Sequence, residues 1–421
     1  MAAAPRPRFR LYTSPRVYAS ILGDVALART TSGGATQSLE AEVCGRFSTP
    51  YALALPQARV GIYLAIQHLI SPGQNVVLSP YTIADVINMV ICAGGVPVFA
   101  DIDRATTNVA ADEIDRLIDA DTGAVLVTHL HGIPADVETI ARICEARRVP
   151  LIEDCSQALG ACVNGRPVGT FGEAGVFSFG LYKNVTGFYG GMLITSNETL
   201  HQEARRALEA APYIPLAKLL GKVAFALSTD VATFPPLFKS LVYPIFRFGY
   251  LRDIDVINRL VSVELDASRK EALPDQYLCR MRPAQARLVL RQLPLIDGHA
   301  RKRIEYARMY FEGLTDLPGL LLPPLRTDGT CVYNYFPIQY RQRRELVKWL
   351  MHHRRDVAVQ HLKNCAALES FAPEAHDCPN ADQTANEVIL LPNYPRYGEE
   401  EVRTTIDVMR AFFHGRTSRA A

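Results

Sequence analysis

Between about residue 50 and residue 195 one arrangement recurs: a short apolar run, then a stretch with apolar residues at helical spacing. This alternation constrains the fold more than any other feature of the chain. NVVLS (75–79), VPVFAD (96–101), GAVLVTHL (123–130), VPLIED (149–154) and GVFSFG (175–180) read as strands, and 82–93, 111–119 and 136–147 as helices. In the last helix Val137, Ile140, Ile143 and Cys144 share a face, and Asp136, following Pro134, is the expected N-cap. Strands apolar at nearly every position need cover on both faces, which is the property of buried parallel strands. The spacing therefore predicts an α/β fold whose large domain has a mostly parallel sheet flanked by helices.

Beyond residue 200 the pattern changes. Residues 200–313 read as mainly helical, with 283–313 as one long arginine-rich connection; 331–340 reads as a strand, and 343–353 and 400–413 as helices. This predicts a smaller α+β C-terminal domain. The expected division is an N-terminal arm over 1–40, the large domain over 41–210, a hydrophobic, amphipathic insertion over 211–272, and the connecting helix with the small domain over 273–421.

Bulk properties exclude several classes. A formal net charge of +2 over 421 residues gives no electrostatic case for nucleic-acid binding. Nine cysteines without a C-x-x-C pair argue against a zinc ribbon or redox couple and fit a reduced, cytoplasmic setting. The first twenty residues carry arginines but lack the apolar stretch of a signal peptide. The most apolar region, 214–251, is interrupted by Lys218, Lys222, Asp230, Lys239 and Arg247 and by Pro235, Pro236 and Pro244, so it is not expected to span a membrane. No Gly-x-Gly-x-x-Gly follows a strand, and there is no Walker A sequence.

Ligands of parallel α/β sheets sit at the carboxyl ends of the strands. Three polar groups fall there: Asp154 and Gln157 in VPLIEDCSQALGA, Ser178 and Lys183 in GVFSFGLYKNVTGFYGG, and His129 and His131 in HLHG. A pyridoxal 5'-phosphate site needs an amine to form an imine, a carboxylate to keep the pyridine nitrogen protonated, and donors for the phosphate. Lys183, Asp154 and Ser178 could supply these from one edge of one sheet, with Gly190-Gly191 allowing a close turn. His129 and His131, two apart on a strand, are expected to face opposite sides and to be structural; no metal is expected.

With these segments in view, the chain resembles the DegT/DnrJ/EryC1/StrS aminotransferases, fold-type I pyridoxal-phosphate enzymes, from about residue 40 to 410. The resemblance is carried by GQNVVLSPYTIADVINMVICAGGVPVFADIDRAT, by THLHG, by IEDCSQALGACVNGRPVGTFGEAGVFSFGLYKNVTGFYGGMLIT, by YLCRMRPAQARLVLRQLPLID and by LLPNYPRYGEEEV, in that order. It implies that Lys183 forms the imine and shuttles the proton, Asp154 pairs with the pyridinium nitrogen, Gln157 lies near the ring's phenolic oxygen and Ser178 contacts the phosphate. A lysine at 183, where a dehydrating branch has histidine, implies transamination. It further implies a homodimer that moves an amino group from an amino acid, L-glutamate being expected, to a keto sugar carried on a nucleotide. The alternatives weighed are a lyase or dehydratase on the same fold, and a non-catalytic member with a binding or regulatory role.

This chain departs from the family at three cofactor positions. Ala58-Arg59 stands where Gly-Thr binds phosphate, Ile83 where an aromatic ring stacks on the cofactor (Tyr81 is two residues off), and Leu278 where an asparagine reaches across the dimer. Arg59 is expected to replace the missing hydroxyl with a charged contact, the alternative being an arginine that points away, at the surface or the dimer interface. In the insertion, Leu216, Leu219, Leu220, Val223 and Leu227 form a stripe with Lys218 and Lys222 on another face, followed by PPLFKSLVYPIFRFGYL. A basic amphipathic segment of this kind has two readings: peripheral contact with a membrane through 211–251, or packing on a partner subunit or over the active site.

Overall fold

In the computed structural model, which describes residues 4–252, 254, 267–359 and 362–420, the apolar runs become a seven-stranded sheet. Its strands are β1 (Tyr51–Leu55), β2 (Asn75–Leu78), β3 (Val96–Phe99), β4 (Thr122–Thr128), β5 (Leu151–Asp154), β6 (Ala174–Ser178) and β7 (Gly191–Thr195), in the order β1-β7-β6-β5-β4-β2-β3. β3, β2, β4, β5 and β6 pair in parallel, whereas β7 runs antiparallel to both β6 and β1. Every residue of β4 is buried, which is why its sequence shows no polar alternation.

The flanking helices follow the spacing. Val137–Arg147 buries Val137, Ile140 and Cys144, and Asp136 caps it by accepting the Thr139 N–H at 3.4 Å. Glu198–Glu209 is capped in the same way, Asn197 accepting from Leu200 at 3.0 Å. Removing such a cap costs about 1 kcal/mol.

The C-terminal domain carries a four-stranded antiparallel sheet of β8 (Leu320–Leu321), β9 (Phe336–Tyr340), β10 (Ala358–Val359) and β11 (Val388–Leu391), in the order β8-β9-β11-β10. Its core joins Tyr306, Tyr310 and Leu314 of one helix to Val402 and Met409 of the last. The antiparallel pairing of Tyr81–Thr82 with Lys363–Asn364 ties the C-terminal part of the chain to the N-terminal part.

Several expectations need correction. The connection expected over 283–313 breaks into Pro283–Leu290, a tight turn at Leu293–Leu295 and Ile296–Leu314, because Pro294 brings no backbone N–H to a continuous helix. The strand expected over 331–340 begins only at Phe336: the Val332 N–H donates to Gly132 O at 2.8 Å, and Tyr333 takes a positive φ of 42°. The last helix runs on to Ala420, and Ala35–Phe47 crosses the boundary expected at residue 40.

Residues 216–251 form two helical stretches. Leu216–Ala232 buries Leu219, Val223 and Ala226 against Leu11, Ile21, Leu181, Phe188 and Leu288. After Pro235 and Pro236 the chain continues through one wide turn, Phe238–Val242, into Tyr243–Leu251. The wide turn lies just before Pro244, where a regular helix would lack a donor. Residues 253 and 255–266 of the expected insertion lie outside the described residues.

Candidate active site

The site is organised by the loop that leaves β6. Lys183 N–H donates to Gly180 O at 3.1 Å, Phe179 N–H to Gly190 O at 2.9 Å and Gly187 N–H to Phe179 O at 2.9 Å, which closes the loop on itself. Two glutamines clamp it from outside. Gln292 accepts the Thr186 N–H at 3.1 Å and donates to Thr186 O at 2.8 Å, while Gln285 donates to the carbonyls of Gly187 and Tyr189, each at 3.1 Å. The loop returns through Gly190, at φ 127°, into Gly191, where a Cβ would lie 2.6 Å from Phe177 O and 2.9 Å from Ala58 N. Glycine at 191 is thus required by the approach of the helix Ala58–Leu69 to the sheet.

Asp154 ends β5 beside β6, in register with Val176, and is 4% exposed. Its Oδ1 accepts the Ser156 N–H at 2.9 Å, and among the described residues it has no cationic partner in contact. Burial lowers the pKa of Lys183 below that of an ordinary lysine; the charge of Asp154 pulls it back up, and that of Arg59 pushes it down. The three charges therefore act on one another. Ser178, at the end of β6, accepts the Gly180 N–H at 3.3 Å. Gln157 is anchored on both sides: its Oε1 accepts the His131 N–H at 3.0 Å, and its carbonyl accepts from the Asn334 side chain.

Ala58 opens its helix, and the next residue has partners that the sequence did not disclose. Arg59 pairs with Asp85, donates to Tyr277 Oη at 3.2 Å and lies 5.3 Å from the Tyr277 ring centre. Asp85 also accepts from Tyr277 Oη at 3.1 Å and pairs with Lys270 at 2.7 Å. The Arg59 guanidinium is held in this cluster, and its charge acts on Lys183 from there. Ile83 is half-buried at the start of the helix Ala84–Cys92, packed on the large-domain core. Tyr81 is fully buried, and its hydroxyl has no hydrogen bond among the described residues.

HLHG is not part of a strand, as expected, but a turn beyond β4 in which His131 has φ 57°. A Cβ at Gly132 would lie 2.8 Å from Asn334 N, so the turn packs directly on the small domain's backbone. His129 Nδ1 accepts the Ala135 N–H at 3.1 Å, leaving Nε2–H to donate to Glu153 Oε2 at 3.2 Å. Glu153 also accepts from Gly169 at 2.7 Å, Phe171 at 2.6 Å and Gly172 at 2.9 Å. The neighbouring His129, Glu153 and Cys155 resemble a metal-binding set, yet the histidine and carboxylate atoms are engaged by protein N–H groups and by each other. This network fixes the strand end that carries Asp154.

A cavity of about 650 Å³ lies behind the lysine loop, lined by Arg10, Arg16, Arg291, Arg396, His299 and Gln292 among others, with no carboxylate in its lining. Arg10 Nε is buried and has no hydrogen bond among the described residues. The N-terminal segment that supplies Arg10 and Arg16 offered no sequence signal for this role, because its partners lie about 280 to 390 residues away along the chain.

The comparisons agree with this architecture. A Saccharopolyspora spinosa protein named dTDP-4-dehydro-2,3,6-trideoxy-D-glucose 4-aminotransferase is 28% identical over 387 residues, covering 89% of this chain and 88% of its own. An Acidithiobacillus ferrooxidans protein named UDP-N-acetyl-3-dehydro-alpha-D-glucosamine 3-aminotransferase is 26% identical over 387 residues, covering 91% of this chain and 90% of its own. The crystal structure of the aminotransferase from Psychrobacter cryohalolentis superposes with a TM-score of 0.76 at 20% identity, covering 97% of this chain and 99% of that one, which establishes the fold. The model of the DegT/DnrJ/EryC1/StrS aminotransferase family matches residues 25–211 and 267–410, leaving out only the segment between them and the two ends. The chain belongs to the DegT/DnrJ/EryC1/StrS aminotransferase family.

Proposed function

We propose that this aminotransferase moves an amino group from an amino acid, L-glutamate in our reading, to the carbonyl carbon of a keto sugar, with pyridoxal 5'-phosphate as its cofactor. The observation that carries the proposal is the placement of a half-buried amine, Lys183 on the loop leaving β6, within the field of a buried carboxylate, Asp154 at the end of the neighbouring β5. The donor set fits the cofactor. Asp154 has an oxygen available for the pyridinium, Lys183 is less basic than a solvated lysine, and Ser178 and the first amides of the helix at Ala58 suit a phosphate. Gln157, with Oε1 engaged, keeps its N–H groups to donate to a ring oxygen. When bound, the cofactor's protonated ring takes up the electron pair left when a proton leaves the substrate carbon. Lys183 Nζ, whose charged form burial disfavours, can accept that proton and return it at the adjacent position.

The arginine-lined cavity supports a substrate that carries phosphate, as a nucleotide-linked sugar does. The names of the relatives support the keto-sugar class. The nine cysteines, none in a disulfide, suit the cytoplasm, and a homodimer is the working unit in this reading. Asp154→Asn tests the proposal. It should leave the fold intact and reduce transamination by several orders of magnitude. Activity within about tenfold of wild type, about 1.4 kcal/mol in barrier, overturns the assignment. A nucleotide-linked keto sugar should outcompete the same free sugar, and Arg10→Gln should raise KM for the linked form alone.

A further inference from the structure

We propose that residues 216–252 seat this enzyme on an anionic membrane surface. The segment lies in the stretch the family model leaves unmatched, so the shared fold does not require it. Seven of the eleven large apolar residues found exposed among the described residues fall within it: Phe225, Leu227, Val231, Phe234, Leu241, Ile245 and Phe248, each 47–54% exposed. Leu227, Val231 and Phe234 recur at helical spacing along the first helix and into the turn, and Leu241, Ile245 and Phe248 do so along the second. Both stretches already bury another face, Leu219, Val223 and Ala226 in the first and Phe238 and Tyr243 in the second. The outward stripes are therefore surplus to the core, and exposed apolar area of this kind marks an interaction site.

Charge identifies the occupant. Residues 216–252 contain Lys218, Lys222, Lys239, Arg247 and Arg252 and a single acid, Asp230. Asp230 is turned inward, accepting from Tyr18 at 2.6 Å and from Thr13, so the outer face carries positive charge alone. Lys239 and Arg252 are exposed, the latter 4.4 Å from the centre of the Phe248 ring. Lys218 and Lys222 lie 5.7 and 5.5 Å from the Tyr189 ring, at the flank of the first helix. A second copy meeting this face symmetrically would set like charges against each other. Aromatic and aliphatic side chains rimmed by lysine and arginine, with no outward-facing acid within 216–252, fit the headgroup layer of an anionic bilayer. None of the described helices is long and apolar enough to cross one, so the contact lies in the plane of the surface.

The inference goes beyond transamination and is read without substrate, so the two proposals fail separately. The holoenzyme is sedimented with equimolar phosphatidylglycerol–phosphatidylcholine vesicles and with pure phosphatidylcholine vesicles. Binding to the anionic vesicles is expected, weakened by salt and lower on the neutral ones. The triple change Leu227→Ser, Phe234→Ser, Phe248→Ser and the double change Lys239→Glu, Arg252→Glu should each reduce it about tenfold or more while keeping the cofactor's visible absorbance. Absence of binding to anionic vesicles overturns the proposal, as does equal binding to both kinds. An oligomer that the triple change splits, with vesicle binding unchanged, also overturns it and assigns the face to another copy of the chain.

Discussion

Glu153→Gln is the sharpest structural perturbation this site allows. The Glu153 side chain is fully buried, and its two oxygens accept four N–H groups: Gly169 at 2.7 Å, Phe171 at 2.6 Å, Gly172 at 2.9 Å and His129 at 3.2 Å. Glutamine has the same shape, but one oxygen becomes an NH2 group. With its oxygen toward Phe171 and Gly172, that NH2 faces the N–H groups of Gly169 and His129. His129 cannot relieve the conflict by changing tautomer, because its Nδ1 already accepts from Ala135. Two buried donors therefore lose their acceptor, at about 1–3 kcal/mol each, or about 2–6 kcal/mol in all. Urea denaturation followed by tyrosine fluorescence should show an earlier midpoint with little change in slope. A loss below about 1 kcal/mol would mean that the donors find other partners and that the network is not what fixes the end of β5.

Arg59→Ala removes a positive charge that lowers the pKa of Lys183, so that pKa should rise. The rate at which apo-protein captures pyridoxal phosphate should then inflect at higher pH than in wild type, and an unchanged or lower inflection contradicts the coupling. Gly191→Ala drives a Cβ against Phe177 O and Ala58 N, at 2.6 and 2.9 Å. It should destabilise the protein by about 1–3 kcal/mol and loosen cofactor retention; a thermal transition matching wild type refutes that packing.

What was legible in the sequence was local. Buried parallel strands announce themselves by runs such as AVLVT, so fold class could be read directly; Asp154 closes one such strand and Lys183 follows another on its loop, and their proposed roles came from the family resemblance. Less visible were contacts that depend on distant segments. Arg59 meets Asp85 and, 218 residues away, Tyr277, while Lys270 reaches the same Asp85. HLHG looked like strand because its apolar neighbours continue β4, whereas its conformation is set by packing on Asn334 and Tyr333. Glycines 132 and 191 show the same limit from the other side, since the groups that exclude a side chain there come from segments distant in the chain. The arginine-lined cavity draws on the two ends of the chain, which only the folded protein brings together.

The most direct test of the central claim is to reduce the purified holoenzyme with borohydride and map the modified peptide. The expected result is a pyridoxyl group on Lys183 alone, with none retained in Lys183→Ala after saturation with the cofactor. A label on Lys270 or any other lysine in place of Lys183, or no label on wild type at saturating cofactor, contradicts the assignment of Lys183 and Asp154 as the core of the site.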